Sequence, residues 1–157
     1  MEWLITPWRM AYVTNADSVP GCVLCRASES PSELTVYTGE LNFVVCNLFP
    51  YSSGHVMVAP KRHLGSLAEA TVEELAEMMA LARRVEAAFR EVYHPDGINL
   101  GMNLGRTAGA GIADHIHMHL VPRWSGDTSF MTVVGGTRVI PEDPAQSCQR
   151  LRAFFDQ

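Results

Sequence analysis

The sequence predicts an α+β fold: an antiparallel β-sheet, one long helix set apart from it, and a C-terminal helix. Three observations carry this expectation. Short runs rich in β-branched and aromatic residues, "LNFVVCN" and "HVMVAP", are joined by a turn too brief for a crossover. One segment shows helical periodicity behind the capping box "TVEE". The stretch "HIHMHLV", positions 115–121, alternates histidine with apolar residues at the period of a strand. Strands paired by short turns with a segregated helix belong to the α+β class.

Composition bounds what the chain does. At 157 residues a single domain with a real core is expected. Apolar content of 47% and charged content of 18% are those of a globular chain. The net charge of −5 weighs against non-specific nucleic-acid binding, which needs Lys and Arg to neutralise phosphates. No apolar run approaches the ~20 residues of a membrane span. "MEWLITPWRM" carries an acid and a proline where a signal peptide would be basic and then apolar. Four cysteines, two of them in "CVLC", read as reduced thiols or metal ligands. A cytoplasmic protein with no nucleic-acid or membrane partner is the expectation.

The elements follow in order. The first forty residues read as loop-rich, through "NADSVPGCVLC" and "ASESPSE". A strand is expected over 41–47 and a second, antiparallel to it, over 55–60. The long helix starts with Thr71 as N-cap and Glu74 at N3. Val72, Leu75, Met79, Ala82, Val85, Phe89 and Val92 form its apolar stripe, and "HPDG" ends it near Tyr93. A third strand is expected over 97–105, then a small-residue loop, then the histidine strand. "FMTVVGGTRVI" suggests a hairpin around Gly135 and Gly136. Asp143 and Pro144 open a C-terminal helix anchored by Leu151, Phe154 and Phe155.

The histidine stretch carries the chemistry. Six histidines in 157 residues would place three at this spacing by chance about 0.01 times per chain. As a strand, His115, His117 and His119 share one face, while Ile116, Met118 and Leu120 pack on a core. Binding one zinc with all three, His115 to His119 spanning about 13 Å, would strain the backbone. The geometry suggests divided labour.

Other motifs gain meaning from that neighbourhood. "GRTAGAG" at 105–111 leads directly into the histidines, and its small residues allow backbone N–H groups to approach an anion. Cys22 and Cys25 have the spacing of two thiolates on one metal, with the histidines as the pool for further ligands. Cys46 and Cys148 stand alone in sequence and read as buried apolar fillers. Asn47 and Asn103 have ordinary readings as strand-end residues, His55 as a histidine supporting its neighbours, and His94 as a helix C-terminal residue.

Together these residues resemble the histidine triad superfamily of nucleotide hydrolases and transferases. "HIHMHLV" has its His-φ-His-φ-His-φ-φ pattern; "FVVCNLFPYSSGHVMVAPKRH" is similar to its first hairpin, and "GMNLGRTAGAGIADHIHMHLVPRW" to its catalytic segment. "PWRMAY" and "WSGDTSFMTVVGGTRVIP" resemble the fragile-histidine-triad branch and bacterial members that phosphorolyse or hydrolyse diadenosine tetraphosphate. The resemblance implies a catalytic core over about 20–124, an extension over about 125–157, and a homodimer with joined sheets. It implies cleavage of a dinucleoside polyphosphate at the α-phosphorus, with His117 as the nucleophile that becomes nucleotidylated and His119 assisting the leaving group. Nucleotide binding then falls to Asn47, matching the ribose position, to Asn103, and to the loop Gly109, Ala110, Gly111 and Ile112. Relatives often place a Ser or Thr in that loop; here Gly111 and Ile112 stand there, so backbone N–H groups must hold the phosphate.

In zinc-bearing members the CxxC joins the histidine of a "PKxH" segment and the first triad histidine, which are Cys22, Cys25, His63 and His115 here. A structural zinc is thus implied, with no organic cofactor. Rival activities are a purine nucleoside phosphoramidase and a nucleotide-binding adaptor. A hexose-1-phosphate nucleotidyltransferase is disfavoured because those relatives resemble His-x-His-x-Gln.

Overall fold

The computed structural model describes residues 21–128, 134 and 139–157. Its elements in chain order are α1 (Val23–Glu29), β1 (Thr35–Thr38), β2 (Asn42–Cys46), β3 (Val56–Pro60), α2 (Val72–Val92), β4 (Gly97–Met102), β5 (Met118–Arg123) and α3 (Pro144–Phe155). The five strands form one antiparallel sheet in the order β1-β2-β3-β5-β4. The α+β expectation is met.

The sheet separates two apolar layers, and strand alternation decides which side chain enters which. Val44, Cys46, Val56, Val58, Ile116, Met118 and Leu120 face α2 and α3. Phe43, Val45, Met57 and Ala59 face the other way and pack with Leu24 of α1. Fully burying one such side chain contributes roughly 1.5–3 kcal/mol of transfer free energy. β2 and β3 are buried along their whole length, so a register slip would turn apolar side chains out and is strongly disfavoured.

α2 begins as read, with both bonds of the Thr71–Glu74 capping box present. Its buried face differs from the expected stripe. Met78, Leu81, Ala82, Val85, Ala88 and Phe89 are buried, whereas Val72 is 78% and Met79 54% exposed. The two columns are adjacent on the helix, and the sheet takes the one through Met78 and Leu81. Periodicity fixes a helix better than it fixes which of two neighbouring apolar columns faces inward. Glu74, buried on that face, is held by Arg62 at 2.8 Å. Glu77 accepts from the backbone N–H groups of Glu40, Leu41 and Asn42 at 2.6–2.7 Å, tying the β1–β2 turn to α2. His94 follows the helix with φ 46°, the left-handed conformation common just past a helix end.

Four further expectations are corrected. The region read as loop holds α1 and β1; both are short, and α1 has only one buried residue, Leu24, so neither leaves a readable period. The third strand stops at Met102, not 105, where the glycine-rich loop begins. β5 starts at Met118, leaving His115 and His117 ahead of the ladder. Cys46 and Cys148, though buried, are not isolated: they are hydrogen-bonding neighbours in the core, with Arg152 Nη2 3.4 Å from Cys148 Sγ. The hairpin expected around Gly135 and Gly136 lies outside the described residues. α3 is as read, with Asp143 Oδ1 capping Ala145 N–H at 2.8 Å and Leu151 and Phe155 buried. No helix among the described residues is long and apolar enough to cross a membrane.

Candidate active site and metal centre

The histidines divide into two groups, as strand geometry suggests. His117 and His119 stay together, ring centroids 4.8 Å apart, and His115 turns to the cysteines. Because the chain is still ahead of the ladder at His115, it is free to make that turn.

The hydrogen bonds set the tautomers. A carbonyl can only accept, so His117 Nδ1–H donates to the His115 carbonyl at 2.8 Å and the lone pair sits on His117 Nε2. His117 is 3% exposed, and burial pushes its pKa below the ordinary range; the carbonyl bond opposes this only in part. A neutral imidazole with an available Nε2 is the form a nucleophile needs.

His119 is oriented from behind. Tyr51 N–H donates to His55 Nδ1 at 3.0 Å, so the proton of neutral His55 resides on Nε2. That Nε2–H donates to His119 Nδ1 at 2.9 Å, which places the proton of neutral His119 on Nε2. Burial, then the neighbouring His119 and His117, push the His55 pKa down to about 3. The Tyr51 ring stacks on His55 at 4.7 Å and lies 5.9 Å from His119. Sequence reasoning missed Tyr51, because its contact with His55 belongs to the tertiary turn between β2 and β3. An aromatic near the start of a histidine-bearing strand was the only signal.

The His55 shift makes stability depend on pH. Unfolded, its pKa returns to about 6.5, so between about pH 3 and 6.5 the unfolded chain binds a proton that the folded chain refuses. The His55 contribution is therefore intact above about pH 6.5 and lost as pH falls, at about 1.4 kcal/mol per unit. In urea unfolding, the wild type should lose roughly 2 kcal/mol more than His55→Gln between pH 7 and 5. Equal losses would contradict a neutral, buried His55.

The nucleotide-loop residues are partly committed to the loop itself. Asn103 Nδ2 donates to the Gly109 carbonyl at 3.4 Å. Gly109 N–H donates to Arg106 and Ala110 N–H to Gly105. Gly105 and Gly109 have φ of 84° and 94°, which glycine adopts without strain. Among the described residues only Gly111 and Ile112 of the expected cradle keep backbone N–H groups without a backbone partner. Asn47 stands half-buried at the end of β2, its Oδ1 accepting from Phe49 N–H at 3.0 Å and its Nδ2 3.4 Å from His55 Nδ1.

The second group is a Cys/His cluster. Ligand atoms of Cys22, Cys25, His63 and His115 all lie within 4.8 Å of one another. Cys22 Sγ to His115 Nδ1 is 3.2 Å, Cys25 Sγ to His63 Nδ1 3.3 Å, and Cys25 Sγ to His115 Nδ1 3.5 Å. Tetrahedral zinc, with bonds of 2.0–2.3 Å, sets its ligand atoms about 3.3–3.8 Å apart. His115 Nε2–H donates to the Pro60 carbonyl at 2.8 Å, which leaves Nδ1 as the ligand atom and fixes the ring. Without a cation the Cys25 thiol is poorly ionised: burial and the adjacent Cys22 push it up to about 11. The residues fit zinc in donor type, number and spacing.

Comparison with known proteins agrees with this geometry. The family model "HIT domain" matches residues 27–126. A Mycobacterium tuberculosis protein named "AP-4-A phosphorylase" is 38% identical over 152 residues, 90% of this chain and 78% of that protein. A Dictyostelium discoideum protein named "Bis(5'-adenosyl)-triphosphatase" is 36% identical over 55% of this chain and 58% of its own length. Among solved structures, a "ZN-bound histidine triad family protein" from Mycobacterium smegmatis superposes with a TM-score of 0.71 at 33% identity, covering 87% of this chain and 94% of that one. These relatives bear the names of phosphorylase and hydrolase enzymes, and the chain belongs to the HIT domain family.

Proposed function

We propose that the chain cleaves dinucleoside polyphosphates such as diadenosine tetraphosphate at the α-phosphorus, through a nucleotidyl intermediate on His117. The observation that carries this is the His117 Nδ1–H bond to the His115 carbonyl, which leaves Nε2 as a neutral nucleophile beside His119. His117 Nε2 attacks the phosphorus, and the bond to the leaving nucleotide's oxygen breaks. His119 presents its Nε2–H to that oxygen, in the tautomer set by His55. Backbone N–H groups of Gly111 and Ile112 stabilise the phosphoryl oxygens, Asn103 and Gly109 with Ala110 shape that loop, and Asn47 takes the ribose. In a second displacement an acceptor oxygen attacks the phosphorus and His117 is released.

The name of the 38% identical relative supports phosphate as that acceptor. With diadenosine tetraphosphate, turnover should then depend on inorganic phosphate and yield ADP and ATP. AMP and ATP at a rate indifferent to phosphate would show hydrolysis, and no cleavage at all would overturn the reading.

Cys22, Cys25, His63 and His115 would hold one zinc. Four protein ligands close the site, so the ion supplies cross-linking between the N-terminal region and the catalytic segment rather than a reactive water. The one-domain reading is supported by α3 sharing the core of the sheet. A homodimer with joined sheets is supported by the edge strand β4, where Leu100 is 51% exposed beside Met79. The four free cysteines support a reducing, cytoplasmic setting.

A further inference from the structure

The family match ends at residue 126, yet α3, which lies beyond it, reaches back to the histidines. Ser147, on the first turn of α3, is 3% exposed, and Gly54 N–H donates to its Oγ at 3.3 Å. Gly54 directly precedes His55, the ring that donates to His119 Nδ1. Ser147 is itself held. The hydroxyls of Ser147 and Tyr93 both meet Glu142 Oε2, at 2.6 and 2.5 Å, and Arg150 Nη1 meets Oε1 at 2.8 Å. Burial works against a charge on Glu142, but these three donors outweigh it and hold its carboxyl below the ordinary range. A carboxylate can only accept, so Ser147 O–H donates to it and a Ser147 lone pair is left for Gly54 N–H.

The turn before His55 is fixed from the same side. Gly54 has φ 78°, and a Cβ there would come within 2.9 Å of Tyr93 Cε2 and 3.3 Å of Pro122 Cγ. The turn therefore rests against the ring whose hydroxyl Glu142 holds. Two bonds pass its position on to the imidazole: His55 N–H donates to the Ser52 carbonyl at 3.2 Å, and Tyr51 N–H donates to His55 Nδ1 at 3.0 Å. Without the Ser147 hydroxyl, Gly54 N–H would be a buried donor with no partner. Such a donor costs more than the bond contributes, so the turn would shift to recover one. A shifted turn moves Tyr51 N–H and the His55 ring, and with them the bond that selects the His119 tautomer.

We propose that Ser147 and Glu142 are positioning residues: from α3 they hold the turn before His55, so that His55 keeps the proton of neutral His119 on Nε2. Its consequence for catalysis rests on the reading that this Nε2–H serves the leaving oxygen. Nitrogen NMR of the histidine rings tests the positioning without turnover. Wild-type His119 should show the Nε2–H tautomer, and Ser147→Ala should show a mixture with the Nδ1–H form. Glu142→Gln weakens the same link without removing the buried hydroxyl, and it should give a smaller shift of the same sign. Arg152→Ala is the control. It frees the far end of α3 from the Ser32, Glu33 and Thr35 carbonyls, so it should lower the Tm and keep the wild-type tautomer. Two esters of AMP then read the catalytic consequence. With the phenyl ester, whose leaving oxygen needs a proton, kcat should fall roughly tenfold in Ser147→Ala; with the p-nitrophenyl ester, which leaves unaided, by less than about twofold. A wild-type tautomer in folded Ser147→Ala or Glu142→Gln, or the same shift in Arg152→Ala, overturns the positioning. A shifted tautomer with both esters slowed alike would overturn the leaving-group reading and leave the positioning standing.

Discussion

His117→Asn should lower turnover of diadenosine tetraphosphate by at least roughly a thousandfold while changing nucleotide affinity by no more than a few-fold. The asparagine amide is the right size to keep donating to the His115 carbonyl, which His117 Nδ1 holds at 2.8 Å, so the local structure survives. What it lacks is a basic nitrogen in the place of Nε2. The loss should therefore fall on the chemical step, because the proposed phosphate and ribose contacts lie on the 105–112 loop and Asn47. Single-turnover kinetics and calorimetric binding separate the two effects. Residual activity above about one per cent would place the nucleophile elsewhere.

Emptying the proposed zinc site should have the largest effect on stability. Structural zinc sites in small peptides bind with roughly 10–16 kcal/mol, and a closed site contributes directly to folding. Losing even ~3 kcal/mol of that should lower the Tm of a domain this size by roughly 6–12 °C. Cys22→Ser removes one ligand atom that lies 3.2 Å from His115 Nδ1, and chelation of the wild type should reproduce its effect. Turnover should fall less than in His117→Asn, since the cluster acts on the reaction only by anchoring the segment that begins at His115. Elemental analysis of protein purified without chelator should give about one zinc per chain; less than roughly 0.2 would reject the site.

Much of this site was legible because its signals are local. Alternation across a strand needs only three residues at the right spacing, and it sent Ile116, Met118 and Leu120 to the core as read. The Thr71–Glu74 box and the Asp143–Pro144 start are complete within four residues. The four metal-site residues are scattered over 94 positions, 22 to 115, and only the family resemblance grouped them before the structure placed their ligand atoms together. Contacts set by the assembled fold left no such trace. Which apolar column of α2 faces the sheet depends on how the helix docks, so Val72 and Met79 were misassigned. α1 is a seven-residue helix that buries one leucine, too little for a period to show. The stacking of Tyr51 on His55, and the use of the Gly109 and Ala110 N–H groups within their own turn, depend on loop conformations that composition alone does not encode. Cys46 and Cys148 are 102 residues apart, and only the packing of α3 on the sheet makes them neighbours.

Rapid acid or denaturant quench of wild-type enzyme with diadenosine tetraphosphate, followed by peptide mass spectrometry, measures whether His117 carries the nucleotidyl group between the two displacements. A peptide containing His117 should be heavier by one adenylyl group, formed and consumed on the timescale of turnover and absent in His117→Asn. Full turnover with no adduct on His117 at any time point, or an adduct on another residue, would contradict it.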